Sequence, residues 1–291
     1  MRVFLLVGIV VVTSAAAAPS SPQAPPAIVD AYKVAVTPSG KLLVADGGGG
    51  AGRIFRIDPR TGSRSVYAGD GGRVFSLRTT ARRSSLGHVT DVAVGPGGVV
   101  YAIASERVVR IDRRGRPTVV ARIPGAIGLA LGRDAVYVTD VKKGRLLRVR
   151  SGQTEVIARG FPEPLVGVAV SPTGSVFVSS GSGNGRVESI AGDGSRRLVF
   201  EGVALAAFIT VAPDGTLLVV DHVRHEQSSP PGKLLRVCLD GTVRTLSEGK
   251  IRAPFSAVQT AAGVVYVTSF GTPAVGRLDP ASGRLLAIVG R

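Results

Sequence analysis

The chain has 291 residues, a formal charge of +16, 5% aromatic residues, no Trp and one Cys. A lone Cys238 excludes an internal disulfide framework, and the lack of Trp leaves few stacking platforms for neutral sugar rings. The basic balance speaks to anionic partners and solubility, not to fold.

The first element is MRVFLLVGIVVVTSAAAAPS. One early Arg, a short apolar stretch and a run of small residues predict a signal peptide over residues 1–18. The apolar stretch falls short of the ~20 residues of a spanning helix, which disfavours an uncleaved anchor. The expected location is therefore secreted, periplasmic or cell envelope. SSPQAPP follows and reads as a linker over residues 19–30. No later stretch is long and apolar enough to span a bilayer.

From there a unit recurs six times. Its cores are VAVTPSGKLLVAD (34–46), VAVGPGGVVYAIAS (92–105), LALGRDAVYVTD (129–140), VAVSPTGSVFVSS (168–180), ITVAPDGTLLVVD (209–221) and AVQTAAGVVYVTS (257–269). Each is a β-rich run, a Pro/Gly/Asp turn and a second β-rich run, the pattern of a hairpin. Third runs such as RIFRID (53–58) and RLLRVR (145–150) follow, then a fourth. Four strands per repeat predict an all-β, six-bladed β-propeller of four-stranded antiparallel blades over 31–291, a monomer. Long intervals mark insertions at 69–91 and 222–232. Ala27–Asp30 offers a segment that could pair where the ring closes.

Arg56, Arg110, Arg148, Arg236 and Arg277 recur at one third-strand position, so they serve the blade, their stems covering apolar surface. Arg73, Arg78, Arg82 and Arg83 lie outside that pattern, in the first insertion, and form the expected contact for an anionic envelope polymer. A protein or small-molecule ligand is the other expected partner. Nucleic acid is not expected, because no nucleic-acid-binding module is present. Asp46, Asp140 and Asp221 end second strands where Ser105, Ser180 and Ser269 stand elsewhere, which suits bonding to turn backbone. Cys238 falls on a recurrent strand and is expected in the core.

Ala68-Gly69-Asp70-Gly71-Gly72, leading through Ser85-Leu86 to Val92-Ala93-Val94, resembles the loop and strand of bacterial NHL repeats. The resemblance covers about residues 31–291 and implies the six-bladed ring, not one activity. In the related gluconolactonase and regucalcin group, Glu, Asn and Asp just before the innermost strands hold a divalent cation. The matching positions here are Tyr32, Thr90, Ile127, Val166, Ala207 and Phe255, with Lys33, Asp91, Gly128, Gly167, Phe208 and Ser256 one step further in. None of the first six is a carboxylate or an Asn, and Asp91 with Lys33 is the sole charged pair. The Trp-Phe-Thr-Glu hairpin endings of streptogramin lyases are missing too.

Histidine supplies the remaining chemistry. His88 lies in the first insertion, and His222 and His225 lie beside Glu226 in the other. All three should open on the ligand-binding face, where imidazoles with a carboxylate suit zinc or acid–base work. The width of the ring separates His88 from the pair, so exposed histidines in two polar loops are the expectation. Together these features predict a ligand-binding or envelope-interaction module without a catalytic centre. Tyr32, Phe208, Phe255, Lys33 and Asp91 would line its mouth, with Phe270 beside them. No cofactor is expected, with a divalent cation as the alternative. The alternative function is a lactonase-like hydrolase or lyase acting at the channel mouth.

Overall fold

The structure, a computed structural model, describes residues 24–222 and 231–290. The expected signal peptide, the linker as far as Gln23, and His225 with Glu226 lie outside the described residues.

Six four-stranded antiparallel blades follow one another in chain order, each built from consecutive strands. Their innermost strands begin with Ala31–Val36, Val89–Val94 and Ala126–Leu131. Leu165–Val170, the second half of Arg196–Val211 and Pro254–Gln259 complete the set. Second strands such as Leu42–Asp46 and Val176–Ser180 are buried along their whole length, because a neighbouring blade covers each face. Outer strands such as Gln153–Arg159 are largely exposed and correspondingly polar.

The apolar core is divided into six clusters, one at each junction between blades. Leu43, Ala45 and Ile54 of blade 1 meet Val92, Ala102 and Val109 of blade 2, with Leu86 of the insertion buried among them. Equivalent clusters join blades 2 to 3, 3 to 4, 4 to 5 and 5 to 6. The sixth unites Val34, Val44 and Phe55 of blade 1 with Tyr266, Val275 and Val289 of blade 6. Among the described residues the ring therefore closes by packing, with no exchanged strand. Ala27–Asp30 adds no strand at this seam. Ile28 is buried there, and the Val29 and Asp30 N–H groups donate to Asp46 Oδ1 at 3.1 and 2.6 Å.

Two features depart from the sequence reading. The outer strand of blade 4 and the inner strand of blade 5 are one unbroken strand, Arg196–Val211, so these blades share a seven-stranded sheet. No turn separates them; Gly202, at φ +108°, lies within the run. Cys238 is half-buried at a strand end rather than in the core.

Every innermost strand carries a β-bulge at the same place. Pairing with the second strand skips between Ala31 and Lys33, Val89 and Asp91, Leu165 and Gly167, Ala206 and Ile209, and Pro254 and Ser256. In blade 3 it skips Ile127. The extra residue has its carbonyl turned out of the ladder, and at most junctions the preceding blade supplies a hydroxyl. Thr90 Oγ1 donates to Ile127 O at 2.9 Å, Thr139 Oγ1 to Val166 O at 2.7 Å, Ser179 Oγ to Ala207 O at 2.5 Å and Thr268 Oγ1 to Tyr32 O at 2.9 Å. Thr139 and Ser179 also accept from the Gly128 and Gly167 N–H groups, both at 3.0 Å. A side chain at Gly128 has no room, since its Cβ would stand 2.4 Å from Val166 O.

Removing such a hydroxyl orphans a buried carbonyl and a buried N–H, worth about 1–3 kcal/mol. Thr139→Val should therefore lower the urea unfolding midpoint clearly. Thr118→Val, on an exposed outer strand, should leave it unchanged. Equal midpoints for the two variants would remove the bulge bond from the account of ring stability.

Candidate functional site at the channel mouth

The bulges decide what faces the mouth, because each re-aims its extra residue out of the regular alternation. Four such positions carry Ile127, Val166, Ala207 and Phe255, predominantly apolar, with Ala207 buried in the core between blades 5 and 6. Tyr32 and Thr90 complete the ring.

Large rings cluster here. Tyr32 stands edge-on to Phe255 at 5.0 Å and to Phe270 at 5.1 Å, and Phe255 stacks on Phe270 at 4.5 Å. Phe208, fully buried, meets Phe255 edge-on at 5.4 Å from below. Both described histidines join the cluster. His88 lies 5.2 Å from Tyr32, and His222 lies 5.1 Å from Phe255 and 6.0 Å from Phe270. The expected separation of His88 from His222 by the ring's width is thus bridged by aromatic side chains. Neither is an exposed loop residue: His222 is 6% exposed and His88 half-buried. His222 Nδ1 lies 2.9 Å from Pro254 O, and since a carbonyl only accepts, Nδ1 carries the proton. When that ring is neutral, its basic nitrogen is Nε2.

Below the rings sit Lys33 and Asp91, at 5% and 0% exposure. Lys33 Nζ crosses the channel to donate to Ile209 O at 3.3 Å and lies 4.6 Å from the Phe208 ring centre. Asp91 Oδ2 accepts from Leu129 N at 2.8 Å, while Oδ1 is buried without a partner. Burial pushes the Asp91 carboxyl up to about 6, against the pull of Lys33 and two backbone N–H groups. Burial lowers the Lys33 ammonium, and Asp91 opposes that shift.

Among the described residues the donor set here does not fit a divalent cation. Of these, Asp91 is the one carboxylate at the floor, with the Lys33 charge acting on it, and the bulge positions add only hydroxyl, phenol and hydrocarbon side chains. Among the described residues no group of three or more His, Cys, Asp or Glu side chains is placed to hold a metal ion.

The remaining sequence candidates fall elsewhere. Arg73 Nη1 donates to Gly49 O at 2.9 Å, on the loop after the second strand of blade 1. Arg82 lines a groove between the hairpin turns of blades 1 and 2, and Arg78 and Arg83 are exposed. Asp46 and Asp221 bind the backbone of the incoming connection, through Asp30 N and Leu205 N at 2.6 and 3.1 Å, rather than only the turn that follows. Ser105 does the same, accepting from His88 N at 3.1 Å and donating to Leu86 O at 3.0 Å, so it fixes the segment that presents His88. Ser105 was legible only as a turn residue.

No protein-family model matches the sequence, and no curated protein matches it. Solved structures do. A propeller in the nidogen–laminin complex is similar over 84% of this chain and 91% of that one, at 18% identity and a TM-score of 0.66. A gluconolactonase from Xanthomonas campestris matches over 86% of each chain at 16% identity and a TM-score of 0.65. Virginiamycin B lyase from Staphylococcus aureus matches over 86% of this chain and 81% of its own, at 16% identity and a TM-score of 0.61.

The shared feature is the propeller fold. Two of these three are enzymes, a lactonase and a lyase. That finding overturns the expectation of a binding module without a catalytic centre and favours the alternative. The gathering of His88 and His222 at one mouth agrees with the correction.

The floor yields a direct test. Unfolded, Asp91 releases its proton near 3.8; folded, it keeps it to about 6. The folded state thus holds the extra proton between those values, so this group favours folding below about pH 4 and loses that contribution as pH rises through 6. A carbon-13 carboxyl titration should place Asp91 near 6, and Lys33→Met, which removes the opposing charge, should move it higher. An Asp91 midpoint close to 3.8 would contradict the buried floor.

Proposed function

We propose that the channel mouth is the active site of a hydrolase or lyase that opens small lactone-like substrates. The observation that carries this reading is the arrival of His88 and His222, from blades on opposite sides of the ring, at one aromatic cluster over a buried Lys33–Asp91 floor. Opening a lactone by hydrolysis or by elimination needs one group to take a proton and another to give one to the leaving oxygen. Imidazole suits both near neutral pH. His222, its Nδ1 held by Pro254 O, acts as the base through Nε2; His88 acts as the acid. Fold likeness to a lactonase and a lyase supports the reaction class.

The rim narrows the substrate. Ile127, Val166, Ala207, Phe255 and Phe270 offer few hydrogen-bond partners, so a polyhydroxylated sugar lactone would leave its hydroxyls unpaired on binding. Acyl or aryl lactones fit better. We further read the repeats as NHL-like and the N-terminal segment as a cleaved signal that carries the protein out of the cytoplasm. N-terminal sequencing of the mature protein should begin near Ala18–Ser20; recovery of Met1 in a membrane fraction would contradict cleavage.

The activity is tested with a panel of acyl, aryl and sugar lactones. Turnover is expected on the apolar members, with kcat/KM falling about 100-fold or more in His222→Gln and His88→Asn, as for loss of a general base or acid. A product heavier by one water marks hydrolysis; an isomer of the substrate marks elimination. Background rates across the whole panel, or full activity in His222→Gln, would end this reading.

A further inference from the structure

We propose a second binding site, distant from the mouth: a basic groove between blades 1 and 2 that holds a base-free phosphodiester polymer. The groove encloses about 1090 Å³ and is lined by Lys41, Arg56, Arg82, Arg113 and Arg114 with Tyr67. Three separate elements deliver these charges. Lys41 and Arg56 come from blade 1, Arg113 and Arg114 from the turn before the outer strand of blade 2, and Arg82 from a short 3₁₀ turn, Ala81–Arg83, in the insertion.

That convergence is built. Ala81 N donates to Gly115 O at 2.8 Å, which fastens the insertion to the Arg113–Arg114 turn. Ala81 itself is buried in the core between the blades, so Arg82 emerges from a fixed point. Asp112 Oδ1 accepts from Arg114 N and Arg116 N at 2.8 and 2.9 Å and thereby shapes the turn. The Arg113 guanidinium lies over Gly97, where a Cβ would come within 1.8 Å of Nη2.

The local charge is largely unspent. Lys41 is paired with Asp58 at 2.5 Å, and the Arg56 guanidinium sits 4.9 Å from the Tyr67 ring centre. Arg82, Arg113 and Arg114 have no ion-pair partner among the described residues, whereas Arg145, Arg148, Arg150, Arg196 and Arg236 each have one. Three exposed guanidiniums converging on one open groove match the geometry of phosphate oxygens. The volume exceeds what one phosphate needs and suits several units of a chain. Tyr67 is the one aromatic in the lining, and Arg56 covers it, which leaves no platform for bases to stack. A phosphodiester polymer without bases is therefore favoured over nucleic acid. This site is independent of the lactone-opening activity.

The test is equilibrium binding of full-length protein to a fluorescein-labelled poly(glycerol phosphate) oligomer across a salt series. The groove variant is Arg82→Ser/Arg113→Ser/Arg114→Ser. Its control, Arg73→Ser/Arg78→Ser/Arg83→Ser, removes the same net charge, all of it from the insertion, but leaves the groove lining intact. The groove variant should lose about tenfold or more in affinity at low salt, with a shallower salt slope. The control should stay within about threefold of the parent. Equal losses in both variants would reduce the effect to net charge, and no loss in the groove variant would refute the site. A single-stranded oligonucleotide or poly-glutamate of equal charge should bind more weakly; tighter binding of either would overturn the assigned chemistry. Far-UV circular dichroism confirms that each variant is folded.

Discussion

A hydroxyl reaching from one blade to the bulged carbonyl of the next is the interaction on which this ring depends. Apolar packing alone holds blades together but is non-directional, and leaves their radial position loosely set. The bonds from Thr90, Thr139, Ser179 and Thr268 fix it at four junctions, close to the axis, where a small error would be multiplied toward the rim. The same bulges turn six residues toward the mouth. Scaffold stability and site geometry are in that sense one construction: a residue that leaves the ladder to face the mouth exposes a carbonyl that a neighbour must satisfy.

Much of the ring was legible in the sequence. The alternating hairpin cores gave six blades because two-residue periodicity and Gly/Pro turns are local signals. The bulges were not legible. Tyr32 and Phe255 were placed at the mouth, but the skipped pairing that puts them there was not, since it depends on what the neighbouring blade offers. Nor was the joining of His88 and His222 to one aromatic cluster, which follows from the size of the intervening rings rather than from spacing along the chain. The run from Arg196 to Val211 read as two strands because nothing local shows that one segment serves two blades.

Charge was harder to read than pattern. The insertion arginines looked alike in sequence, yet Arg73 is spent on Gly49 O while Arg82 stands beside arginines from a different turn. Two of the recurrent arginines are paired: Arg148 meets Glu155 at 2.6 Å, and Arg236 meets Asp214 at 2.5 Å and Gln259 at 2.9 Å. At the centre, burial outweighs attraction. Burial raises the Asp91 carboxyl to about 6 even with Lys33 acting on it, so the floor of the mouth takes up a proton as pH falls through that value.

The closing junction carries a topological consequence. Blades 6 and 1 share no strand among the described residues, and Ile28 and Val289, at the two ends of the described propeller, are buried in the same cluster. The ring is a circle cut at one of six near-equivalent places. A short peptide joining those ends would make the order of blades circular, and new ends opened between blades 2 and 3 would leave every four-stranded sheet whole. Between blades 4 and 5 the same operation would sever Arg196–Val211 and unpair two sheets at once. This propeller is thus symmetric in shape but not in where it tolerates interruption.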